Sequence, residues 1–313
     1  MPPTPSAATF ATAADELRTL RDLVRWGASR FDEAGLHYGH GTDNSLDEAH
    51  ALTLAALHLD LTLTDDCLDA RLTRSERATV LALFRRRIEE RLPAPYLTNR
   101  AWFAGLEFYV DARVLVPRSP LAEPIQQGFE PWLEGCRVTR ILDLCTGSGC
   151  IAIACAYAFP DAAVDAVDLS PQALEVARIN VERHGLENRI SLQQSDLFGA
   201  VDEQRYDLIV TNPPYVDAVE MASLPEEYRG EPTLGLAAGE DGLDVVRRIL
   251  CEAPDHLTPG GILVAEVGNS ETALCQRFPE VPFLWLDFER GGHGVFLLTA
   301  EQLAEHRESF CRD

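Results

Sequence analysis

The chain has 313 residues, 46% hydrophobic and 25% charged, enough for one large α/β domain and a smaller one, each with its own core. Its net charge of −23 comes from 50 acidic residues against 27 basic ones, all of them arginine. An acid excess of that size disfavours a nucleic-acid partner, which is gripped by neutralising phosphates, and suits a basic protein.

No apolar run approaches the roughly 18–20 residues that cross a bilayer, so no membrane association is expected. The opening MPPTPSAATFATAADE carries no basic stretch ahead of an apolar one and reads as a polar tail, not a secretory signal. The eight cysteines include no C-x-x-C pair, so neither zinc-ligand nor redox-motif spacing is present and no metal is expected. Several lie in apolar stretches as small hydrophobes, which fits a reducing cytoplasm. The lysine-free acid excess also fits a saline habitat or a GC-rich genome.

Residues 1–95 read as a small helical bundle, either a substrate-recognition domain or a lid that only shields the core. Leu17, Leu20, Val24 and Phe31 share one helix face, and a second apolar stripe runs from Leu46 to Leu57. A third helix starts at Thr73-Arg74-Ser75-Glu76, which has capping-box spacing, and continues through Val80, Leu83, Phe84 and Ile88 until Pro93 and Pro95 stop it. His37 and His40 stand in a Gly-rich stretch that reads as a surface loop. In residues 96–116, Phe108-Tyr109-Val110 and Val114-Leu115-Val116 flank a polar Asp111-Ala112-Arg113, the pattern of a β-hairpin linker.

From 117 to 313 short β-rich runs alternate with helical patterns: 141–144, 164–167, 190–193, 208–211, 262–267, 283–286 and 295–298. Ser170-Pro171 supplies a helix cap followed by proline at the first helical position. Such alternation predicts an α/β, doubly wound, mostly parallel sheet. The last two runs are joined only by a short Gly-rich link, too short for a helical crossover, so the final strand should be antiparallel.

Four constellations fall at strand ends. Asp143-Leu144-Cys145-Thr146-Gly147-Ser148-Gly149 leads from the first strand into a helix, where glycines allow close backbone approach and the helix N-terminus favours an anionic group. Asp168 ends the second strand, placed to accept both hydroxyls of a ribose. Asp196 and Phe198 follow the third, as an acceptor for an exocyclic amine and a ring that either flanks a base or packs in the core, its place at a strand end favouring the base. Together these predict a nucleoside-containing ligand; no G-x-G-x-x-G and no phosphate-loop lysine is present. The fourth, Asn212-Pro213-Pro214-Tyr215, is the most informative. Its prolines stiffen the loop and remove donors, leaving the Asn212 side-chain oxygen and the Pro213 carbonyl to accept from the two hydrogens of a planar amino group, with Tyr215 as a wall. Such a nitrogen is a poor nucleophile, and positioning can supply roughly 7–11 kcal/mol. Glu266 reads as structural or as a support behind the site residues, and Glu231-Pro232 with Gly239-Glu240-Asp241-Gly242 as a substrate rim.

These residues resemble the class I methyltransferases with an NPPY tetrad. The segments YLTNRAWFAGLEFYVDARVLVPRSP, DLCTGSGCIAIACAYAFPDA, SDLF, NPPYVDA, GLAAGEDGLDVVRRIL and FERGGHGVFLLT, spread from Tyr96 to Leu303, resemble the ribosomal protein L-three glutamine methyltransferase family. The resemblance implies a Rossmann-like methyltransferase domain using S-adenosyl-L-methionine and methylating a glutamine amide of that basic ribosomal protein, free or in early assembly, in the cytoplasm. It implies that Cys145 to Gly149 wrap the methionine part of the cofactor, Asp168 binds its ribose, and Phe198 flanks its adenine. Asn212 would touch both cofactor and substrate, with Asn212, Pro213, Pro214 and Tyr215 holding the amide. The sister family, acting on translation release factors, usually has glycine where Cys145 stands and lacks the FERGGHGVF ending. The remaining alternatives are an adenine-N6 nucleic-acid methyltransferase, disfavoured by the acid excess, and a catalytically silent cofactor-binding module, disfavoured by the intact tetrad.

Overall fold

The computed structural model describes residues 7–60, 67–201 and 203–312. It divides into two compact units, Met1–Arg100 with Pro225–Gly230, and Ala101–Leu224 with Glu231–Asp313.

The first unit is helical: α1 (Ala7–Glu16), α2 (Leu20–Glu33), α3 (Ser45–Ala56), α4 (Arg74–Glu90) and α5 (Ala94–Thr98). Part of the expected polar tail is therefore α1, which buries Phe10 and Ala13. Leu17 precedes α2 and does not lie on it, because Thr19 caps that helix: its hydroxyl accepts from Asp22 N at 3.1 Å while Thr19 N donates to the Asp22 carboxylate. The Thr73/Glu76 capping box forms as its spacing predicted. That helix ends at left-handed Arg91, before the prolines, and Pro93 opens α5 instead. The histidine loop is not a surface loop throughout: His40 is buried with its ring 4.4 Å from that of Tyr228.

A cluster of charges is buried among these helices. The Arg87 and Glu48 side chains are each 1% exposed and pair at 2.7 Å. Arg87 also lies 3.6 Å from Glu227 and donates to the His37 carbonyl. Glu227 accepts from Arg91 and from His37 N, both at 3.0 Å.

The second unit opens with an antiparallel pair, β1 (Ala101–Phe103) and β2 (Leu106–Phe108), and its helices include α6 (Ala122–Gln126), α7 (Cys150–Ala158), α8 (Pro171–His184), α9 (Ala218–Ser223), α10 (Asp244–His256), α11 (Glu271–Arg277) and α12 (Ala300–Phe310). This hairpin lies upstream of the expected one, and residues 109–116 form no strand. The cause is Asn180, fully buried on α8 (Pro171–His184). Its side chain accepts from Tyr109 N at 2.7 Å and donates to Tyr109 O at 3.0 Å, taking the backbone groups a strand partner would need.

The main sheet has seven strands in the order β5-β4-β3-β6-β7-β9-β8. They are β3 (Arg140–Leu144), β4 (Ala163–Asp168), β5 (Ile190–Gln194), β6 (Tyr206–Thr211), β7 (Leu257–Glu266), β8 (Leu284–Trp285) and β9 (Val295–Thr299). β3 to β7 are parallel, and β9 runs antiparallel to both neighbours, as the short final link required. Alternate residues feed two cores: Leu208, Ile262 and Leu297 face one, and Ile209, Leu263 and Leu298 the other. Both faces are thus covered by helices, which is why these strands read as continuous apolar runs. The strand order reverses between β3 and β6, and the crevice at their C-terminal ends is where such a sheet binds ligands.

Two of the cysteines depart from the expectation of free thiols. Cys251 on α10 (Asp244–His256) is joined to Cys311, just past α12 (Ala300–Phe310), across 60 residues of sequence; short-range spacing is blind to such a pair. Among the described residues no helix is long and apolar enough to cross a membrane.

Candidate functional site

The turn after β3 is built around a carboxylate. Asp143 is fully buried, and its Oδ2 accepts from the Thr146 hydroxyl at 2.5 Å and from Ala152 N at 3.0 Å. It therefore folds the loop onto the start of α7 (Cys150–Ala158) and does not line the cavity, contrary to the expected ligand contact. Burial pushes the Asp143 carboxyl up to about 7. A carboxyl raised on folding adds stability that is complete below its unfolded value, near 4, and fades as pH rises through about 7. Denaturant midpoints at pH 5 and pH 8 should show wild type losing stability relative to Asp143→Asn at the higher pH; parallel profiles would rule this out.

Thr146, Gly147 and Ser148 line a cavity of about 220 Å³. Gly147 N donates to Asp168 Oδ2 at 2.8 Å, and Ser170 N to its Oδ1 at the same distance. Asp168 thus reaches the cavity wall with both oxygens oriented by backbone donors, and burial raises its carboxyl. Gly147 has φ +56, and a Cβ there would meet nothing within 4 Å. A side chain at Gly147 would therefore project into open space. Gly147→Val should cost roughly 1–2 kcal/mol of stability through left-handed strain, yet abolish cofactor binding in calorimetry; retained affinity would remove the loop from the cofactor site. Gly149 serves packing instead, its Cβ position lying 3.3 Å from Ala177 Cβ. Cys145 is left-handed at φ +59 and lines the cavity, but burial pushes its thiol up, away from nucleophilic use.

Past β5, Asp196 lies on the cavity wall, paired with Arg248 of α10 at 2.9 Å. Phe198 does not face the cavity. It is 1% exposed and stacks on His256 at 4.4 Å in the core, while Leu197 takes the wall position.

Past β6, Asn212 and Pro214 line the cavity. No described residue hydrogen-bonds the Asn212 amide or the Pro213 carbonyl. Tyr215 turns away from the cavity: its hydroxyl donates to Glu266 at 2.8 Å, and its carbonyl accepts from the Ser270 hydroxyl. The tetrad is anchored downstream by Val216, which pairs with residues 236–238 through bonds of 2.8 and 3.0 Å.

Sequence reasoning missed residues 113–119, all of which line the cavity, Val114, Leu115 and Val116 having been expected in a strand. Arg118 is held by both oxygens of buried Glu231, whose Oε1 also accepts from Val116 N at 3.0 Å. Asn180 completes the frame by donating to Ser148 O at 2.8 Å, tying the glycine loop to Tyr109. A single Asn in a helical pattern and a lone Glu before proline carry no local sign of these long-range bonds. Pro232 does reach the cavity rim, as the sequence indicated.

The methyltransferase small domain family model matches residues 131–224. The ribosomal protein uL3 glutamine methyltransferase of Xanthomonas campestris pv. campestris is 55% identical over 296 residues, covering 95% of this chain and 96% of that protein. The protein of the same name from Xylella fastidiosa is 54% identical over 296 residues, covering 95% of each. A solved methyltransferase from Pyrococcus furiosus is 23% identical, with a TM-score of 0.43, covering 63% of this chain and 89% of that one. Identity above half, sustained over nearly the whole length of both curated relatives, places this chain in the ribosomal protein uL3 glutamine methyltransferase family.

Proposed function

We propose that the chain transfers a methyl group from S-adenosyl-L-methionine to the side-chain amide nitrogen of a glutamine in ribosomal protein uL3. It acts in the cytoplasm, on the free protein or an early assembly intermediate, and takes no nucleic acid as acceptor. The observation that carries this reading is the Asn212 amide and Pro213 carbonyl left without partners among the described residues, Asn212 itself on the wall of a cavity that also holds Gly147 and Asp168.

The residues fit the cofactor through their donor set. Asp168 is oriented to accept ribose hydroxyls, Thr146 to Ser148 leave room for a backbone-hugging chain, and Asp196 is within reach of an exocyclic amine. When bound, S-adenosyl-L-methionine supplies the electrophilic methyl group. Asn212 and Pro213 would accept the two amide hydrogens, fixing the nitrogen and steadying the positive charge that grows on it as the new N–C bond forms and the donor's sulfur–methyl bond breaks, after which the nitrogen gives up one hydrogen as a proton to solvent. Residues 1–95 serve recognition of the basic substrate, consistent with the net charge of −23.

Labelled S-adenosyl-L-methionine would be offered with unmethylated uL3 and, separately, a release factor. Label on a uL3 glutamine alone supports the proposal. Label on the release factor alone moves the chain to the sister activity, and equal rates on free uL3 and mature ribosomes would overturn the early-assembly claim.

A further inference from the structure

Glu266 ends β7 with its carboxylate buried, yet no arginine or lysine forms an ion pair with it among the described residues. Its two oxygens are divided between two hydroxyls. Tyr215 donates to Oε1 at 2.8 Å and Ser119 donates to Oε2. Ser119 Oγ itself accepts from Leu121 N at 3.1 Å, which leaves its hydrogen for the carboxylate. Ser119 lines the same cavity as the glycine loop, and Tyr215 is the last residue of the tetrad.

Tyr215 is packed closely at its ring and at its carbonyl. A Cβ at Gly268 would lie 2.6 Å from its ring, and one at Gly242 would lie 2.3 Å from its carbonyl oxygen. Between Tyr215 and Asn212 stand only two prolines, whose fixed φ passes any displacement of the tyrosine along to the asparagine. Burying a carboxylate is costly, and packing alone is better served by an apolar residue of similar volume. A buried carboxylate with two directed hydroxyls supplies geometry that an apolar side chain cannot.

We propose that Glu266 is a positioning residue for methyl transfer: it holds the tetrad on one oxygen and the cavity wall on the other, and so sets where Asn212 presents the amide to the methyl donor. This rests on the functional reading above. Burial raises the Glu266 carboxyl, while the Ser119 and Tyr215 hydroxyls, then Arg118 and His293, act in the opposite direction.

The test compares full-length wild type, Glu266→Gln, Tyr215→Phe and the double variant by kcat, by KM for each substrate, and by melting temperature. Glu266→Gln should lower kcat about tenfold (~1.4 kcal/mol) with KM for the cofactor little changed. In the Tyr215→Phe background the same change should cost less than about threefold, because the link through which it acts is gone. An unchanged kcat in Glu266→Gln, or equal losses in both backgrounds tracking a lower melting temperature, would overturn the proposal. Should Glu266→Gln not fold, Tyr215→Phe and Ser119→Ala must each lower kcat at constant cofactor KM, and normal kcat in both overturns it. Ratios are read on whichever acceptor the wild-type enzyme methylates. A change of acceptor then removes the uL3 reading while the ratios still decide the role of Glu266, and no transfer by wild type to any acceptor removes both.

Discussion

Asn212→Ala should reduce methyl transfer to below about a tenth of the wild-type rate, since even ~1.4 kcal/mol of lost transition-state binding is tenfold. On the proposed reading the substitution removes one of the two acceptors that fix the amide, and Pro213 alone would leave the nitrogen free to rotate out of line. Cofactor affinity should largely survive, because Asp168 and the glycine loop reach the cavity from other strand ends. Single-turnover kinetics with calorimetric cofactor binding separates the two effects. A variant retaining more than a tenth of the rate would end the amide-gripping role, and equal loss of rate and cofactor affinity would make Asn212 a cofactor ligand first.

The largest stability effect is expected at Arg87. Replacing it with alanine leaves Glu48 and Glu227 buried without their shared cation and frees the His37 carbonyl. Breaking a buried pair from one side typically costs about 3–5 kcal/mol, so Arg87→Ala should melt the helical unit far below wild type, seen as an early transition in calorimetry. The arrangement also predicts acid lability. Burial alone would raise Glu227, but the His37 N–H, Arg91 and Arg87 outweigh it and hold the carboxyl below its usual range. Stability from a depressed carboxyl is present above its unfolded value of about 4.3 and is lost as pH falls. A transition unmoved by Arg87→Ala would show the cluster to be solvated.

The sheet was legible because its central strands β3, β6, β7 and β9 are buried on both faces, so apolar runs mark them without help from tertiary context. The strand ends were legible for the same reason: Gly147, Asp168, Asp196 and Asn212 follow those runs directly and reach one cavity. What stayed hidden was decided by bonds between distant residues. The hairpin expected over 108–116 is displaced because the Asn180 side chain occupies the backbone of Tyr109. Phe198 looked ligand-facing from its place after a strand, but His256 offers its ring a core partner. Tyr215 looked like a cavity wall, but Glu266 draws its hydroxyl the other way. Aromatic and carboxylate side chains at strand ends can turn in or out, and only the neighbours decide which.

The six residues Pro225–Gly230 belong to the helical unit although the sequence places them deep within the methyltransferase half. They bring Glu227 to Arg87 and Arg91 and the Tyr228 ring to His40. The helical unit is therefore written in two separate stretches of the gene. A truncation at Arg100 would not release it as a module, because the cut chain would lose Glu227 and leave Arg91 without its carboxylate. Grafting the unit onto another methyltransferase would require transplanting both stretches together, and a single crossover between Arg100 and Pro225 would separate them.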